Sequence, residues 1–391
     1  MSVYYVNSIM STYIYILGKD RDLSLAELCA RYHDPEFKTI GSDFAIFDLN
    51  QKIDQSELDK LGGIIKIGRV VSSVPREKLP NELLNRLVEH DPIGKLNYGV
   101  SIYGWDVKNL RGILLEIKKG LKKKDISSRF ANQNFENLST AQYKGLGKKG
   151  VEMIVTKDGD NFFVAEVTAV QNIDSYSRRD YEKPYRDMKV GMLPPKLAQI
   201  MINLTGIEGK IWDPFCGGGV LVMEGLLMGH EMMGSDIDPK ILSGAERNIK
   251  WLKEEFDIEK KADMFVHDAT RPFNGKAFDA IATEGYLGPP QAMARRAEQL
   301  NPIIRELERL YLDFFKAIKA IGFKGPIVIA LPFFKCAGNH IADLSDAVLK
   351  IQKMGYILRS LVPFEKGDRY KLSYSRNDQI VGRMIYLFEL I

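Results

Sequence analysis

The stretch Ile211-Trp-Asp-Pro-Phe-Cys-Gly-Gly-Gly-Val220 dictates the local fold around it. A short apolar lead-in meets an acid and then a run of glycines. The apolar segment Val220-Leu-Val-Met-Glu-Gly-Leu-Leu-Met228 follows directly. This order predicts a strand, a tight turn and a helix. Glycines let backbone approach a ligand because no Cβ intervenes. A turn that ends a strand and opens a helix is where open α/β sheets bind nucleotide-like ligands. A second strand, Met232-Met-Gly-Ser-Asp236, ends in an acid followed by Ile237. An acid about 20 residues after such a turn is placed to grip a pair of ribose hydroxyls. The spacing is not G-x-G-x-x-G, so the dinucleotide fingerprint does not apply.

Strand and helix continue to alternate. Pro239 to Glu255 reads as a helix, Ala262 to Asp268 as a strand, and Phe278 to Thr283 as a fourth strand. A helix from about Asn301 to Ile321 precedes Pro326-Ile-Val-Ile-Ala-Leu331, a continuous apolar run of the kind a buried parallel strand needs. Asp343 to Met354 is a further helix. Tyr356–Val362 and Val381–Phe388 fit a closing antiparallel pair. The pattern predicts a doubly wound, Rossmann-like α/β domain over residues 196–391.

The N-terminal half reads differently. Tyr13–Leu17, Phe44–Asp48 and Ile64–Gly68 are strands, with helices at Leu25–Arg31 and around Ser56–Leu61. Ser24 and Glu27 form the S-x-x-E pattern of a capping box. This predicts an α+β domain over 1–75. From Val100 the pattern restarts with a strand, an amphipathic helix from Val107 to Lys122, and a strand at Ser127–Phe130. Ser139 caps a short helix, and Val151–Val155 with Asn161–Ala169 reads as a hairpin. That is a second unit, 76–174. It is followed by a basic, aromatic linker, 175–195, in which Arg178, Arg179, Lys183 and Arg186 alternate with Tyr176, Tyr181 and Tyr185. Interleaved cations and rings hold phosphates and stack bases. The loop bearing Arg369, Lys371 and Arg376 with Tyr370 and Tyr374 has a similar composition.

Composition narrows the field. The net charge of +4 permits a nucleic-acid partner without requiring one, so any binding face must come from local clustering. Cys29, Cys216 and Cys336 are far apart and form no C-x-x-C pair, so neither a structural zinc nor a disulfide framework is expected, and a reducing cytoplasm fits. No metal site is expected. No apolar run reaches the length of a membrane span. Met1 to Gly18 carries no basic n-region and no cleavage-site pattern.

Asp213-Pro-Phe-Cys-Gly-Gly-Gly219 resembles motif I of the S-adenosylmethionine-dependent methyltransferases, in the form found in nucleic-acid methylases. The 76–174 unit resembles a THUMP domain, an RNA-binding module, through Gly99–Tyr103, the lysine-rich helix end, Ser127–Arg129, Leu138–Gln142 and Val167–Asp174. The order R-D-Y-x-x-P-x-R-D, G-M-L-P-P-K-L-A, D-P-F-C-G-G-G and G-S-D-I-D-P is similar to the archaeal and eukaryotic tRNA guanine-N2 methyltransferases of the guanosine-10 type. That resemblance implies S-adenosylmethionine as cofactor and tRNA as partner. It implies a cofactor set of Asp213, Phe215, Gly217, Gly219, Asp236, Ile237, Asp268 and Ala269, with Asp268 accepting from the adenine amino group. It implies RNA contact by Lys122, Lys123, Lys124, Arg129, Arg178, Arg179 and Arg186. It leaves open a small activating partner subunit of the kind the eukaryotic relatives use.

Amino-methylases carry an Asp/Asn-Pro-Pro-aromatic tetrad after the fourth strand. Here the matching place reads Thr283-Glu-Gly-Tyr-Leu-Gly-Pro-Pro290. Glu284 stands where the acid belongs, one methylene longer, and Tyr286 brings an aromatic ring one residue early. These two are the candidate catalytic residues. The departure leaves two other readings in play: methylation of another acceptor such as DNA adenine N6, and an RNA-binding protein with a degenerate methylase domain.

Overall fold

The computed structural model describes residues 10–90, 94–147, 149–186, 192–289, 296–337, 341–362, 368–376 and 379–391. Asp187, Gly191 and Pro290 of the motifs above lie outside these residues. The chain forms two compact units. One comprises residues 1–21, 35–59 and 63–173; the other comprises 22–34, 60–62 and 174–391.

The first half of the chain runs β1 (Ser11–Leu17), α1 (Arg21–Arg31), β2 (Phe37–Ile40), β3 (Phe44–Leu49), α2 (Gln55–Leu58), β4 (Ile64–Pro75), α3 (Leu79–Glu89), β5 (Leu96–Tyr103), α4 (Asn109–Lys123), β6 (Ser128–Phe130), α5 (Thr140–Lys144), β7 (Val151–Asp158) and β8 (Asn161–Val170). The eight strands make one sheet in the order β2-β3-β1-β4-β8-β7-β5-β6. The boundary expected near residue 75 therefore falls at the end of a strand inside a continuous sheet. β4 is the reason: its 12 residues pair with β1 on one side and with β8 on the other. Ser139 does cap α5, with Gln142 completing the capping box. α4 buries Leu110, Ile113, Leu114, Ile117 and Leu121 and ends in lysines. A buried Lys66–Glu152 pair (2.6 Å), with Ser101 donating to the same carboxylate, ties β4, β5 and β7 together.

α1 departs from expectation. It starts at Arg21, so Ser24 and Glu27 lie inside the helix and no capping box forms at Ser24. Tertiary contact overrides the local cap. The fully buried Glu27 accepts from the Gly62 amide and from Asn203 Nδ2, both at 2.8 Å. Leu23 and Ala26 join the core of the C-terminal unit.

That unit continues with α6 (Ile173–Tyr181), α7 (Pro195–Asn203), β9 (Lys210–Asp213), α8 (Val220–Met228), β10 (Glu231–Asp236), α9 (Pro239–Phe256), β11 (Ala262–Val266), β12 (Ala280–Glu284), α10 (Ala297–Ala320), β13 (Ile327–Lys335), β14 (Ile341–Ala342), α11 (Ser345–Lys353), β15 (Tyr356–Leu358), β16 (Leu372–Tyr374) and β17 (Val381–Leu390). The sheet order is β11-β10-β9-β12-β13-β17-β15, with β14 beside β13 and β16 beside β17. Strands β9 to β13 pair in parallel, and β17 runs antiparallel to β13 and β15. Residues of α7, α8 and α9 pack on one face, and residues of α10 and α11 on the other. Both faces are covered, so the central strands read as unbroken apolar runs. The expected doubly wound fold is the observed one. The first part of the expected linker is instead helix α6, because Arg179 and Tyr176 dock on α8 and α7 and give the segment a buried face.

Candidate active site

Strand order in the C-terminal sheet reverses between β9 and β12, which is the switch point where open α/β sheets bind ligands. The Asp213–Gly219 turn leaves β9 there. Its shape is set by short bonds. The Cys216 amide donates to Ser235 O (2.9 Å), Gly217 N donates to Asp236 Oδ2 (3.0 Å), and Gly219 N donates to Cys216 O (2.7 Å). Gly217 and Gly219 sit at φ 49° and 80°, in the left-handed region that disfavours side chains. A Cβ on Gly217 would meet nothing within 4 Å, so the turn faces open space.

That space is a cavity of about 470 Å³. Asp213, Asp236, Asp238 and Glu284 bring carboxylates to its wall, while Phe215, Val220, Leu193 and Leu287 supply apolar surface. Ile237 and Tyr286 line it too and are largely exposed. A larger hollow of about 1030 Å³ runs along the outer strand β11, but it lacks the glycine turn, and its acids Glu246, Glu254 and Asp263 are matched by Lys250, Lys253 and Lys276. The smaller cavity at the switch point is the chemically equipped one.

The acids differ. Asp213 is buried and accepts from Thr283 Oγ1 (2.7 Å) and from the Phe215 amide (3.3 Å). Burial pushes its carboxyl up to about 7, with the nearby Asp236 and Glu284 adding to the rise and the two hydrogen bonds opposing it. Asp236 is drawn partly into holding the backbone, since its Oδ1 also accepts from Asp238 N (3.0 Å). Burial raises the Glu284 carboxyl as well, against the pull of Arg383, whose Nε donates to Glu284 Oε1. Tyr286 O accepts from Tyr311 Oη (2.7 Å), and a Cβ on Gly285 would lie 2.3 Å from that same oxygen. The buried tyrosine therefore occupies the place a proline ring would take after the acid.

Other expected residues are placed differently. Asp268 does not line the cavity: it closes its own turn, accepting from the amide (2.9 Å) and hydroxyl (2.7 Å) of Thr270, which hold its carboxyl below the usual range. Ala269 is buried in the neighbouring core. Of the expected RNA contacts, Lys122, Lys123, Lys124 and Arg129 are exposed. Arg179 corrects the expectation. It is 5% exposed and grips Glu224 of α8 through Nε (2.7 Å) and Nη2 (3.1 Å), so its charge is spent inside the fold. Lys183 is also buried, 3.8 Å from Asp180. Arg178 pairs with Glu182 and Glu255. Arg186 lies 5.5 Å over the exposed ring of Tyr181.

Three contributors escaped the sequence reading. Asn248 of α9 bonds the Gly218 carbonyl (2.9 Å) and both backbone groups of Tyr185, fastening that segment beside the glycine turn. Thr283 holds Asp213. Arg383 is a charge within the apolar strand Val381–Leu390, and that anomaly was the signal available for it.

A doubly wound sheet with an acid and a glycine turn at its reversal has the fold of the Rossmann-like methyltransferases. Residues 183–300 match the model of the UPF0020 family, described as an RMKL-like methyltransferase domain. A tRNA (guanine(10)-N2)-dimethyltransferase of Pyrococcus abyssi is 34% identical over 137 residues, which are 34% of this chain and 38% of the relative. The enzyme of the same name from Methanothermobacter thermautotrophicus is 34% identical over 193 residues, 48% of this chain and 51% of that one. The chain thus spans about half or less of the length of these relatives. Among solved structures, TrmN from Thermus thermophilus aligns over 98% of this chain and 100% of its own, at 16% identity and a TM-score of 0.54. A possible methylase from Clostridium difficile 630 aligns over 98% of both chains at 13% identity and a TM-score of 0.50. These two likenesses are of fold. No helix among the described residues is long and apolar enough to cross a membrane.

Proposed function

We propose that the chain is an S-adenosylmethionine-dependent tRNA methyltransferase acting on the exocyclic N2 amine of guanine, of the guanosine-10 type. The observation that carries this reading is the cavity at the switch point: an open glycine turn beside a cluster of carboxylates. The fit to the cofactor rests on charge and space. A cationic sulfonium suits a pocket rich in acids, and the missing Cβ at Gly217 leaves room for a ligand against the backbone. Asp213, Phe215, Gly217, Gly219, Asp236 and Ile237 would hold it. Asp268 and Ala269 remain proposed contributors through the loop after β11. The names of the relatives in Pyrococcus and Methanothermobacter support the acceptor.

When bound, S-adenosylmethionine supplies a methyl group whose C–S bond breaks, leaving the electron pair on sulfur as the N–C bond forms. The chain has mainly to position the acceptor, since the donor is already activated. The N2 lone pair of guanine is delocalised into the ring. An acceptor oxygen on its N–H favours a pyramidal nitrogen and meets the growing positive charge. Glu284 is that acceptor in this proposal. The proton displaced from nitrogen passes to its carboxylate and on to solvent. Tyr286, 44% exposed at the rim, stacks on the base.

Residues 76–174 act in this proposal as a THUMP-like RNA-binding module, with Lys122, Lys123, Lys124 and Arg129 toward phosphates. Lys118 over Phe130 (5.5 Å) and Arg111 over Phe135 (5.3 Å) support a surface of paired cations and rings. Arg178 and Arg186 belong to the same proposal for the C-terminal unit. The test is incubation with methyl-labelled cofactor and total tRNA, followed by nucleoside analysis. Label in N2-methylated guanosine is expected, and the ratio of singly to doubly methylated product gives the extent. Label in adenine of duplex DNA, or cofactor binding with no transfer to any tRNA, would overturn the reading.

A further inference from the structure

The acid of the loop after β12 does not stand alone. Glu284 closes β12, opposite Ala330 of β13, and Ala330 in turn lies opposite Ile385 of β17. Arg383 lies opposite Pro332, two residues further toward the carboxyl end of β13. Side chains alternate faces along a strand, so Glu284 shares a face with Ala282, and Arg383 with Ile385. Both Ala282 and Ile385 belong to the core on the α7–α9 side. The two charges therefore project to the same side of the sheet, near the end where the cavity opens, and Arg383 reaches across β13 to Glu284 Oε1. Arg383 is 2% exposed, so this contact is made by a guanidinium in the interior. An arginine there is costly unless paired and hydrogen-bonded.

We infer that Arg383 is a positioning residue for methyl transfer: it fixes one oxygen of the Glu284 carboxylate and so sets the orientation in which that group meets the acceptor amine. This inference rests on the methyltransferase reading above. Glutamate has one more rotatable bond than the aspartate or asparagine usual at this place, and the bond to Arg383 removes that freedom. The loop beyond is fixed independently, by Tyr311 Oη on Tyr286 O. Arg383 also governs charge. Among the described residues, Arg383 from β17, Asp213 from β9 and Tyr311 from α10 interact electrostatically with Glu284. Asp213 and Asp236 are acids, and Arg383 supplies the positive charge that opposes protonation of Glu284. Without it, the upward push of burial on the Glu284 carboxyl would go unopposed, and the group would accept the amine proton less readily.

The experiment is a double-mutant cycle with Arg383→Met and Glu284→Gln, plus Arg383→Lys. Turnover on tRNA, cofactor affinity by calorimetry, thermal unfolding and the pH profile of kcat are measured on the full chain. Arg383→Met is expected to lower kcat about 100-fold at pH 7 and to change cofactor affinity less than threefold. It should also move the acidic limb of the kcat profile upward by at least one pH unit. Arg383→Lys should restore at least a tenth of wild-type kcat and the original limb. In the Glu284→Gln background, Arg383→Met should cost less than threefold more. A loss that is independent of pH and equal in both backgrounds would assign Arg383 to folding alone and overturn the inference. If Arg383→Met fails to fold, the Arg383→Lys profile and the cycle built on it decide the matter by the same criteria. A wild-type protein that labels no tRNA overturns the underlying reading, whereas an active wild type with an unmoved profile in the variants overturns only the role of Arg383.

Discussion

Replacing Arg179 by Met should destabilise the C-terminal unit by about 3 kcal/mol at pH 7 and by much less at pH 5. The pair it breaks is bidentate and buried: Arg179 is 5% exposed and Glu224 1%. Removing one partner of such a pair costs ~3–5 kcal/mol when the survivor stays charged. A carboxylate can instead take a proton. Keeping the proton on a carboxyl that ordinarily titrates at 4.5 costs about 1.4 kcal/mol per pH unit above that value, so about 3.4 kcal/mol at pH 7 and about 0.7 at pH 5. Burial already raises the Glu224 carboxyl, with Arg179 as the main opposing influence and Lys183 as a lesser one. In the variant, Glu224 is therefore protonated when folded and ionised when unfolded at neutral pH. The folded state binds the extra proton, so stability recovers as pH falls, and the cost vanishes below 4.5. The residual attraction of Lys183 sets the lower end of the range. Urea unfolding on a Trp105→Phe background reads the C-terminal unit through Trp212 and Trp251. The double variant Arg179→Met/Glu224→Leu should lie within about 1 kcal/mol of wild type at both pH values, because both members of the pair are gone and the buried Lys183 keeps Asp180 at 3.8 Å. A loss below about 1 kcal/mol at pH 7, or an equal loss at pH 5, would refute the reasoning.

Four further outcomes follow from the same structure. Cofactor affinity should rise as pH increases toward 8, by up to about tenfold per unit below pH 7, since a sulfonium favours the ionised form of Asp213, whose carboxyl sits at about 7; calorimetry from pH 5.5 to 8.5 tests this, Asp213→Asn should flatten the curve, and a flat wild-type curve would refute it. From Asp213 alone, the ligand-free protein should gain stability as pH falls from 7 toward 3.8, because its raised carboxyl is protonated in the folded state first. Gly285→Ala drives a Cβ to 2.3 Å from Tyr311 Oη and should cost about 1–3 kcal/mol in urea unfolding, with turnover falling more than cofactor affinity. Changing Lys122, Lys123 and Lys124 together to Gln should weaken tRNA binding and reduce its salt slope by about 2, while Arg179→Met/Glu224→Leu leaves tRNA binding unchanged.

The glycine turn, the strands on either side of it and both covered faces of its sheet were legible because each depends on a local pattern: apolar runs, an acid, glycines and a helical period. What stayed hidden depends on pairs far apart in sequence. Arg179 reads as a surface cation in a basic segment until Glu224, 45 residues on, is seen to receive it. Ser24 and Glu27 satisfy a capping pattern that Asn203, 176 residues from Glu27, draws to another use. The unified N-terminal sheet was missed because the sequence beyond Gly68 lacks clean alternation, and only its pairing with β8 keeps β4 extended to Pro75. Asp268 meets two patterns at once: an acid placed after a strand to bind a ligand, and an Asx turn with the same sequence requirement, whose bonds from Thr270 both fall on Oδ1.

The assignment of residues 22–34 and 60–62 to the same compact unit as 174–391 has a topological consequence. No single cut of the chain separates the two units. A polypeptide starting at Asp174 would lack Leu23 and Ala26 from its core and the Glu27 carboxylate that Asn203 and Gly62 share. Synthesis from the N-terminus makes helix α1 long before the core residues from Leu193 onward, so α1 waits for more than a hundred residues before its final core exists. The two halves are interleaved like threads of one stitch, and recombination that exchanged one for a foreign counterpart would have to carry the helix across with it.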